Sequence, residues 1–356
     1  MKFKGWDKTT IITDDGTCRE GIAPLIVSAS RATDIPAFHS SWLMERIRRG
    51  YVRWTNPFNQ VPQYVSFVQT RVFVFWSKNP APLLHRLAEL DERGLNYYFQ
   101  FTVNDYEAEA LEPHVPALNK RIATFRELAA RIGRERVIWR FDPLILAKDL
   151  TVDRLVEKVK RVGDQLADAT GKLVISFADV REYAKVRHQL ARGNVSWRDF
   201  TAAEIEDLAA RIAELSQQWG LPVATCAEAL DLGRYGITPN RCIDDELMIR
   251  LFAHDRALME FLFTGPQRTG QKALFPSPPT AGTIAKPAGR LHQLKDPGQR
   301  QACGCIVSKD IGQYNTCGHL CRYCYANTSA AVVKKNLENL DVRGDCITGP
   351  GNHEKT

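Results

Sequence analysis

Six short apolar, β-rich runs recur at 25–30, 72–76, 96–101, 136–141, 172–177 and 221–226, and they alternate with amphipathic helical patterns at about 38–50, 80–93, 115–132, 151–168, 200–219 and 243–263. A strand followed by a helix, repeated in this way, packs as a parallel sheet with helical crossovers, so the alternation predicts an α/β fold. Runs such as Leu173-Val-Ile-Ser-Phe177 are apolar on both faces, which requires that both sides of the sheet be covered.

The polar residues discriminate between the two architectures that meet this requirement. Just past nearly every expected strand stands a cluster that packing does not ask for: Arg31, Thr33 and Asp34; Ser77, Lys78 and Asn79; Thr102, Asn104 and Asp105; Asp142; Asp179; and Glu228, with Arg140 inside the end of its own strand. In a barrel the C-terminal strand ends converge on one mouth, where sites form. A doubly wound sheet gathers its ligand groups mainly at one crevice. Clusters in all six units point to a (β/α)6-type partial TIM-like barrel over residues 1–263. Taken singly, each of these residues also reads as a loop or helix-capping side chain, Asp34 and Asp179 among them. Arg31, Lys78 and Arg140 place cations at three separate strand ends, and cations gathered in a cavity cost solvation unless an anion answers them. Either Asp34, Asp105 and Asp142 complete a structural ion-pair ring, or an anionic ligand does part of that work.

With 356 residues and 44% hydrophobic composition, the chain buries a large core without disulfides. No stretch approaches the roughly 18 apolar residues of a membrane span, and Met1-Lys-Phe-Lys-Gly-Trp-Asp has no apolar run after its charges, so a cytoplasmic protein with no membrane contact is expected. The net charge of +7 suits a nucleic-acid partner, but Arg46, Arg48, Arg49 and Arg53 illustrate that the basic residues are scattered, as on solvated helix faces. After the sixth unit the composition shifts. Residues 264–300 begin with a tract rich in Pro, Gly and Thr and read as a linker or strap, and 301–356 form a cysteine-rich segment with a helix at 327–339 and a frayed end from Gly349.

Nine cysteines in such a chain argue for metal or redox chemistry. Cys317, Cys321 and Cys324, in Cys317-Gly-His-Leu-Cys321-Arg-Tyr-Cys324, can each meet one iron of a [4Fe–4S] cube. Four cysteines normally fill a cube, so three leave one iron open. A structural zinc held by some of these with Cys303, Cys305 or His319 is the competing reading, although the spacing departs from the paired Cys-x-x-Cys units of zinc ribbons. Cys303-Gly-Cys305, Cys226 and Cys242 supply the four ligands of an auxiliary [4Fe–4S] centre; alternatively Cys226 and Cys242 are small buried hydrophobes. Cys18 and Cys346 receive no role.

The three-cysteine loop resembles the cluster loop of radical S-adenosylmethionine (SAM) enzymes, and its Cys-x-x-Cys-Tyr-Ala ending is similar to the spore photoproduct lyase type. The chain as a whole resembles the family DUF1848, on Ser28-Ala-Ser-Arg-Ala-Thr-Asp-Ile-Pro-Ala-Phe38, Asn56-Pro-Phe-Asn59, Phe75-Trp-Ser-Lys-Asn-Pro80, Phe99-Gln-Phe-Thr102, Trp139-Arg-Phe-Asp-Pro143, Ser176-Phe-Ala-Asp179, Cys226-Ala-Glu228 and the run 303–327. The resemblance implies a SAM-binding cluster, an electron donor such as flavodoxin or ferredoxin, and hydrogen abstraction from a small-molecule or nucleic-acid substrate. Asp34, Asn79 and Arg31 are then candidates for holding SAM, and Arg140, Asp142 and Lys78 for the catalytic groups. Two features differ from radical SAM proteins: the cysteine loop follows the sixth unit rather than the first strand, and Ser77-Lys-Asn-Pro80 stands where a Gly-Gly-Glu type segment is usual. The alternative function is a non-catalytic, DNA-repair-like nucleic-acid-binding protein with a structural zinc or iron–sulfur site. A carboxylate- and His-held metal hydrolase has only His39 near a strand end to offer.

Overall fold

All six runs expected as strands lie in one sheet of the computed structural model, which describes residues 3–228, 230–264 and 294–349. In chain order the strands are β1 (Lys8–Ile12), β2 (Cys18–Ile22), β3 (Ile26–Ala29), β4 (Tyr51–Thr55), β5 (Pro62–Ser66), β6 (Val72–Ser77), β7 (Asn96–Thr102), β8 (Val137–Leu144), β9 (Leu146–Ala147), β10 (Leu173–Phe177), β11 (Trp197–Arg198), β12 (Val223–Thr225), β13 (Thr238–Pro239) and β14 (Lys309–Asp310). The helices are α1 (Ile35–Phe38), α2 (Ser40–Arg49), α3 (Ala81–Leu84), α4 (Leu87–Glu92), α5 (Leu118–Ile132), α6 (Val152–Leu166), α7 (Ala184–Arg192), α8 (Ala202–Trp219), α9 (Asp245–Leu251), α10 (Arg256–Thr264) and α11 (Ala330–Glu338).

The main sheet has eight strands in the order β14-β3-β6-β7-β8-β10-β12-β13, and every neighbouring pair is parallel. From β3 to β13 the order follows the sequence without the reversal that defines a doubly wound sheet. β14 adds to the free edge of β3, with Lys309 opposite Val27 and Asp310 opposite Ser28. Among the described residues the two edges, β13 and β14, are not paired with each other. Six expected strands thus become eight. The two extra ones are two residues long, too short to carry a period-two pattern. A second sheet, β1-β2-β5-β4, also escapes the apolar signal because most of β1 and β2 is solvent-facing.

Alternation along the strands divides the core in two. Phe73, Phe75, Phe99, Phe101 and Trp139 pack with Trp42 and Ile47 of α2, Phe125 of α5, Leu155 and Val159 of α6, and Leu208 and Ile212 of α8. Ile26, Val72, Val74, Tyr98, Ile138 and Val174 face the other way, onto Leu247 and Met248 of α9, Leu258 and Phe261 of α10, and the 303–307 segment. The pattern at 243–263, expected as one helix, is two helices that cover this second face. Asp255 stands at the break: its Oδ1 accepts from Leu258 N at 3.1 Å, and its Oδ2 accepts from Arg71 Nε at 2.8 Å and Asn96 Nδ2 at 2.7 Å. Two of the long crossover helices, α6 and α8, begin at side-chain caps. Thr151 Oγ1 accepts from Arg154 N, and Thr201 with Glu204 forms a reciprocal capping box.

The stretch expected as a strap falls mostly at 265–293, and the frayed end at 350–356; both lie outside the described residues. The chain after the strap packs back on the N-terminal half: Trp54 Nε1 donates to Gly312 O, Trp42 Nε1 to Gly344 O, and Arg53 Nε pairs with Asp345 at 3.0 Å. Among the described residues, no helix is long and apolar enough to cross a membrane.

Candidate functional site

A cavity of about 320 Å3 lies between the C-terminal ends of β3, β6, β7, β8 and β10 and the cysteine loop. Arg31, Asp34, Lys78, Asp142, Cys317, Cys321 and Cys324 line it, with Thr33, Ser176, Asp179, Tyr183, Arg300 and Tyr325. Of the other residues singled out in the sequence, Arg140, Asn79, Cys226, Cys242, Cys303 and Cys305 do not line it.

Asp34 uses both carboxylate oxygens. Oδ1 accepts from Ala37 N at 2.9 Å, capping α1, and from Ser77 Oγ at 2.8 Å. Oδ2 accepts from Lys78 N at 2.7 Å and lies 2.8 Å from His319 Nε2. Four partners fill the usual acceptor capacity of a carboxylate, which leaves Asp34 organising the site rather than open to a ligand. The backbone N–H of Asn79 donates to Ser77 Oγ at 3.0 Å.

Lys78 answers an acid that the sequence reading missed. Its Nζ donates to Glu112 Oε1 at 2.7 Å and to Tyr323 OH at 3.0 Å, while Asn104 Nδ2 and Tyr323 OH also donate to Glu112. Burial pushes the Glu112 carboxyl up, but Lys78 and Arg121 beside it prevail and hold it at about 2. Glu112 sits in a loop before α5 with no periodicity around it, so only the tertiary structure reveals its role. Because Tyr323 lies between Cys321 and Cys324, this buried network fixes the cysteine loop to the ends of β6 and β7.

Arg140 lies one layer behind the cavity. Its Nε and Nη2 donate to Asp142 Oδ2 at 2.9 and 2.5 Å, and its Nη1 donates to Gln100 Oε1 at 3.1 Å and Cys242 Sγ at 3.0 Å. Asp142 also accepts from Ser176 Oγ, and about 24% of its side chain is exposed. The expected meeting of three cations thus resolves into separate pairings: Lys78 with Glu112, Arg140 with Asp142, and Arg31 stacked over Trp76 at 5.0 Å, with Asp310 Oδ2 on its backbone N–H.

Several elements hold the cysteine loop. Gln189 of α7 donates to Cys324 O at 2.7 Å and Asn327 O at 2.9 Å, Asn327 Nδ2 donates to Cys317 O, Arg322 N donates to Leu111 O, and Tyr325 OH donates to Arg31 O. A Cβ at Gly318 would stand 2.7 Å from the Phe38 ring, so the loop passes where only glycine fits without displacement. Burial pushes the Cys317 thiol up to about 12 and raises Cys321 and Cys324 as well, so metal loading would release protons. His319, the nitrogen ligand of the zinc reading, has Nε2 on Asp34 and Nδ1 3.3 Å from His114 O. Among the described residues, no group of three or more His, Cys, Asp or Glu side chains is set to hold a single metal ion. Such a site needs ligands converging on one point, whereas cysteines on a cube each meet a different iron.

A parallel sheet whose C-terminal strand ends share a cavity with a three-cysteine loop defines an α/β protein with its candidate site at those ends. The chain belongs to the family described as a domain of unknown function, DUF1848, whose model matches residues 26–326. No curated protein matches it. Among solved structures, a "putative alpha-L-fucosidase" from Bacteroides thetaiotaomicron VPI-5482 is similar over 53% of this chain and 74% of that one, at 12% identity and a TM-score of 0.24, a likeness too slight to carry an inference.

Proposed function

We propose that the cavity is the active site of a radical SAM-like enzyme, with a [4Fe–4S] centre held by Cys317, Cys321 and Cys324 and one iron left open for S-adenosylmethionine. The observation that carries this is the shared lining: three cysteines from one late loop face the same cavity as strand-end residues of the parallel sheet. No fourth cysteine lines it among the described residues, as an open-iron site requires. The strand order, with β14 beside β3, supports reading the sheet as a partial (β/α) barrel whose seam lies between β13 and β14, and residues 301–356 as its iron–sulfur segment. A cavity of about 320 Å3 is within the range of small-molecule pockets.

Bound there, the centre would pass one electron, received from a flavodoxin- or ferredoxin-like donor, to SAM and so begin hydrogen abstraction. The chain's own residues bind and orient. Thr33 Oγ1 is buried at the cavity without a hydrogen-bond partner, so it is open to a polar group of SAM, a role for which Asp34 has no free acceptor. Asp142, fixed by Arg140 and Ser176, presents an anion to the cavity. The Tyr183 and Tyr325 rings, 6.3 Å apart, make an apolar wall suited to a flat heterocycle. The nucleic-acid reading gains less support, because arginines such as the exposed Arg126 and Arg198 and the half-buried Arg211 are paired with Asp168, Glu204 and Asp153.

Anaerobic purification with iron, sulfide and zinc counts, and an assay for 5′-deoxyadenosine from SAM and dithionite, tests the reading. It expects iron that is lost when Cys317, Cys321 and Cys324 are replaced by alanine, and 5′-deoxyadenosine only from the iron-loaded protein. Zinc held by those three cysteines, or iron unchanged without them, would overturn it.

A further inference from the structure

Outside the cavity, four more cysteines meet from three stretches of chain: Cys226 after β12, Cys242 after β13, and Cys303 with Cys305 before β14. Cys242 Sγ stands 3.6 Å from Cys226 Sγ, the Cys242 backbone N–H donates to Cys305 Sγ at 3.1 Å, and Cys303 is two residues from Cys305. Cys242, Cys303 and Cys305 are buried at 5%, 6% and 2% exposure, which closes the group to solvent on that side.

Thiols packed as small hydrophobes need only apolar neighbours. These sulfurs instead collect donors. Cys242 Sγ accepts from Arg140 Nη1 at 3.0 Å and Asn240 Nδ2 at 3.3 Å, and Cys305 Sγ accepts from the backbone N–H groups of Cys242 at 3.1 Å and Ile243 at 3.4 Å. A second guanidinium attends the group. Arg31 has its Nη2 buried without a partner. Asp310 is already engaged by Ser28 Oγ, Arg31 N and Gly312 N. Neutral thiols are weak acceptors and do not offset the burial of two guanidinium ions, for which, among the described residues, Asp142 is the one carboxylate in a salt bridge with either. Four thiolates around one divalent ion, or around a cube of charge +2, carry a net charge of about −2, and Arg31 and Arg140, less the charge that Asp142 takes up, offset part of it.

We propose that Cys226, Cys242, Cys303 and Cys305 form a second metal centre, closed by four thiolates and taking a thiophilic centre, either a [4Fe–4S] cube or a single tetrahedral ion such as zinc. Arg140 joins it to the cavity, since one guanidinium bonds both Cys242 Sγ and Asp142. Among the described residues the four sulfurs do not converge on one point, so binding requires their side chains to rotate.

The test uses the full chain, purified anaerobically, in wild-type form, with Cys317, Cys321 and Cys324 replaced by alanine, and with Cys226→Ser and Cys303→Ser combined. The loop variant should retain about four irons with four sulfides, or about one zinc, with X-ray absorption showing sulfur-only ligation near ~2.3 Å. Iron with sulfide identifies a cube, and zinc without sulfide a single ion. The Cys226/Cys303 variant should lose that share of the wild-type metal at least about tenfold, a result that stands whether or not the cavity loop binds iron. Wild-type metal content in the Cys226/Cys303 variant, a folded loop variant free of metal, or nitrogen and oxygen ligands at the retained metal would each overturn the proposal.

Discussion

Arg140 serves three partners with three nitrogens, and this geometry sets the cost of replacing it. Arg140→Lys keeps the charge but cannot bond Asp142, Gln100 and Cys242 together. A loss of roughly 2–4 kcal/mol is expected, read as a melting temperature several degrees lower, because buried polar partners are left unmatched. An unchanged melt would show that the guanidinium does not hold these layers together. Glu112 makes a pH-dependent contribution. Its folded pKa, at about 2, is below the usual carboxylate value, so its stabilisation is present above the unfolded pKa and is lost as pH falls from about 4.5 toward 2. Glu112→Gln should remove up to about 3 kcal/mol of that acid-side slope. It should also destabilise the protein at neutral pH, since Lys78 and Arg121 lose their common anion. Chemical denaturation at pH 3 and pH 7 separates the two effects, and a slope identical to wild type would exclude Glu112 as its source.

At the scale of elements, legibility in the sequence followed local pattern. The six long strands and the crossover helices announce themselves through buried periodicity and through caps such as Thr151 and Thr201. β14 does not: Lys309 and Asp310 carry no apolar signal, and their partners lie across the whole sheet in sequence. The 243–263 pattern is helical as expected but divides into α9 and α10, and amphipathicity alone says that one side is buried and not against what. The strand-end polar clusters marked the cavity and left Asp34 open to the helix-capping role it has, yet they could not show that Lys78 would find Glu112. Asp310 is the test of β14. Asp310→Ala removes the acceptor of Ser28 Oγ, Arg31 N and Gly312 N, and should cost about 2 kcal/mol or more while accelerating amide exchange at Arg31 and Gly312. Exchange that stays as slow as in wild type would mean that β14 is held by other contacts.

For the whole molecule, the pairing of β14 with β3 joins residues 282 positions apart, Ser28 and Asp310. At about 5–20 residues per second, a ribosome needs roughly 15–55 s to make the intervening chain. Throughout that interval β3 has an unpaired edge, the kind of surface that captures stray strands. The strand-end wall of the cavity can form early, but its cysteine wall is translated well after it. The nascent protein therefore has a defined moment of maturity: until residues near 324 have left the ribosome, there is a sheet but no enclosed site, and a centre held by the cavity loop can be inserted only after translation has passed that point.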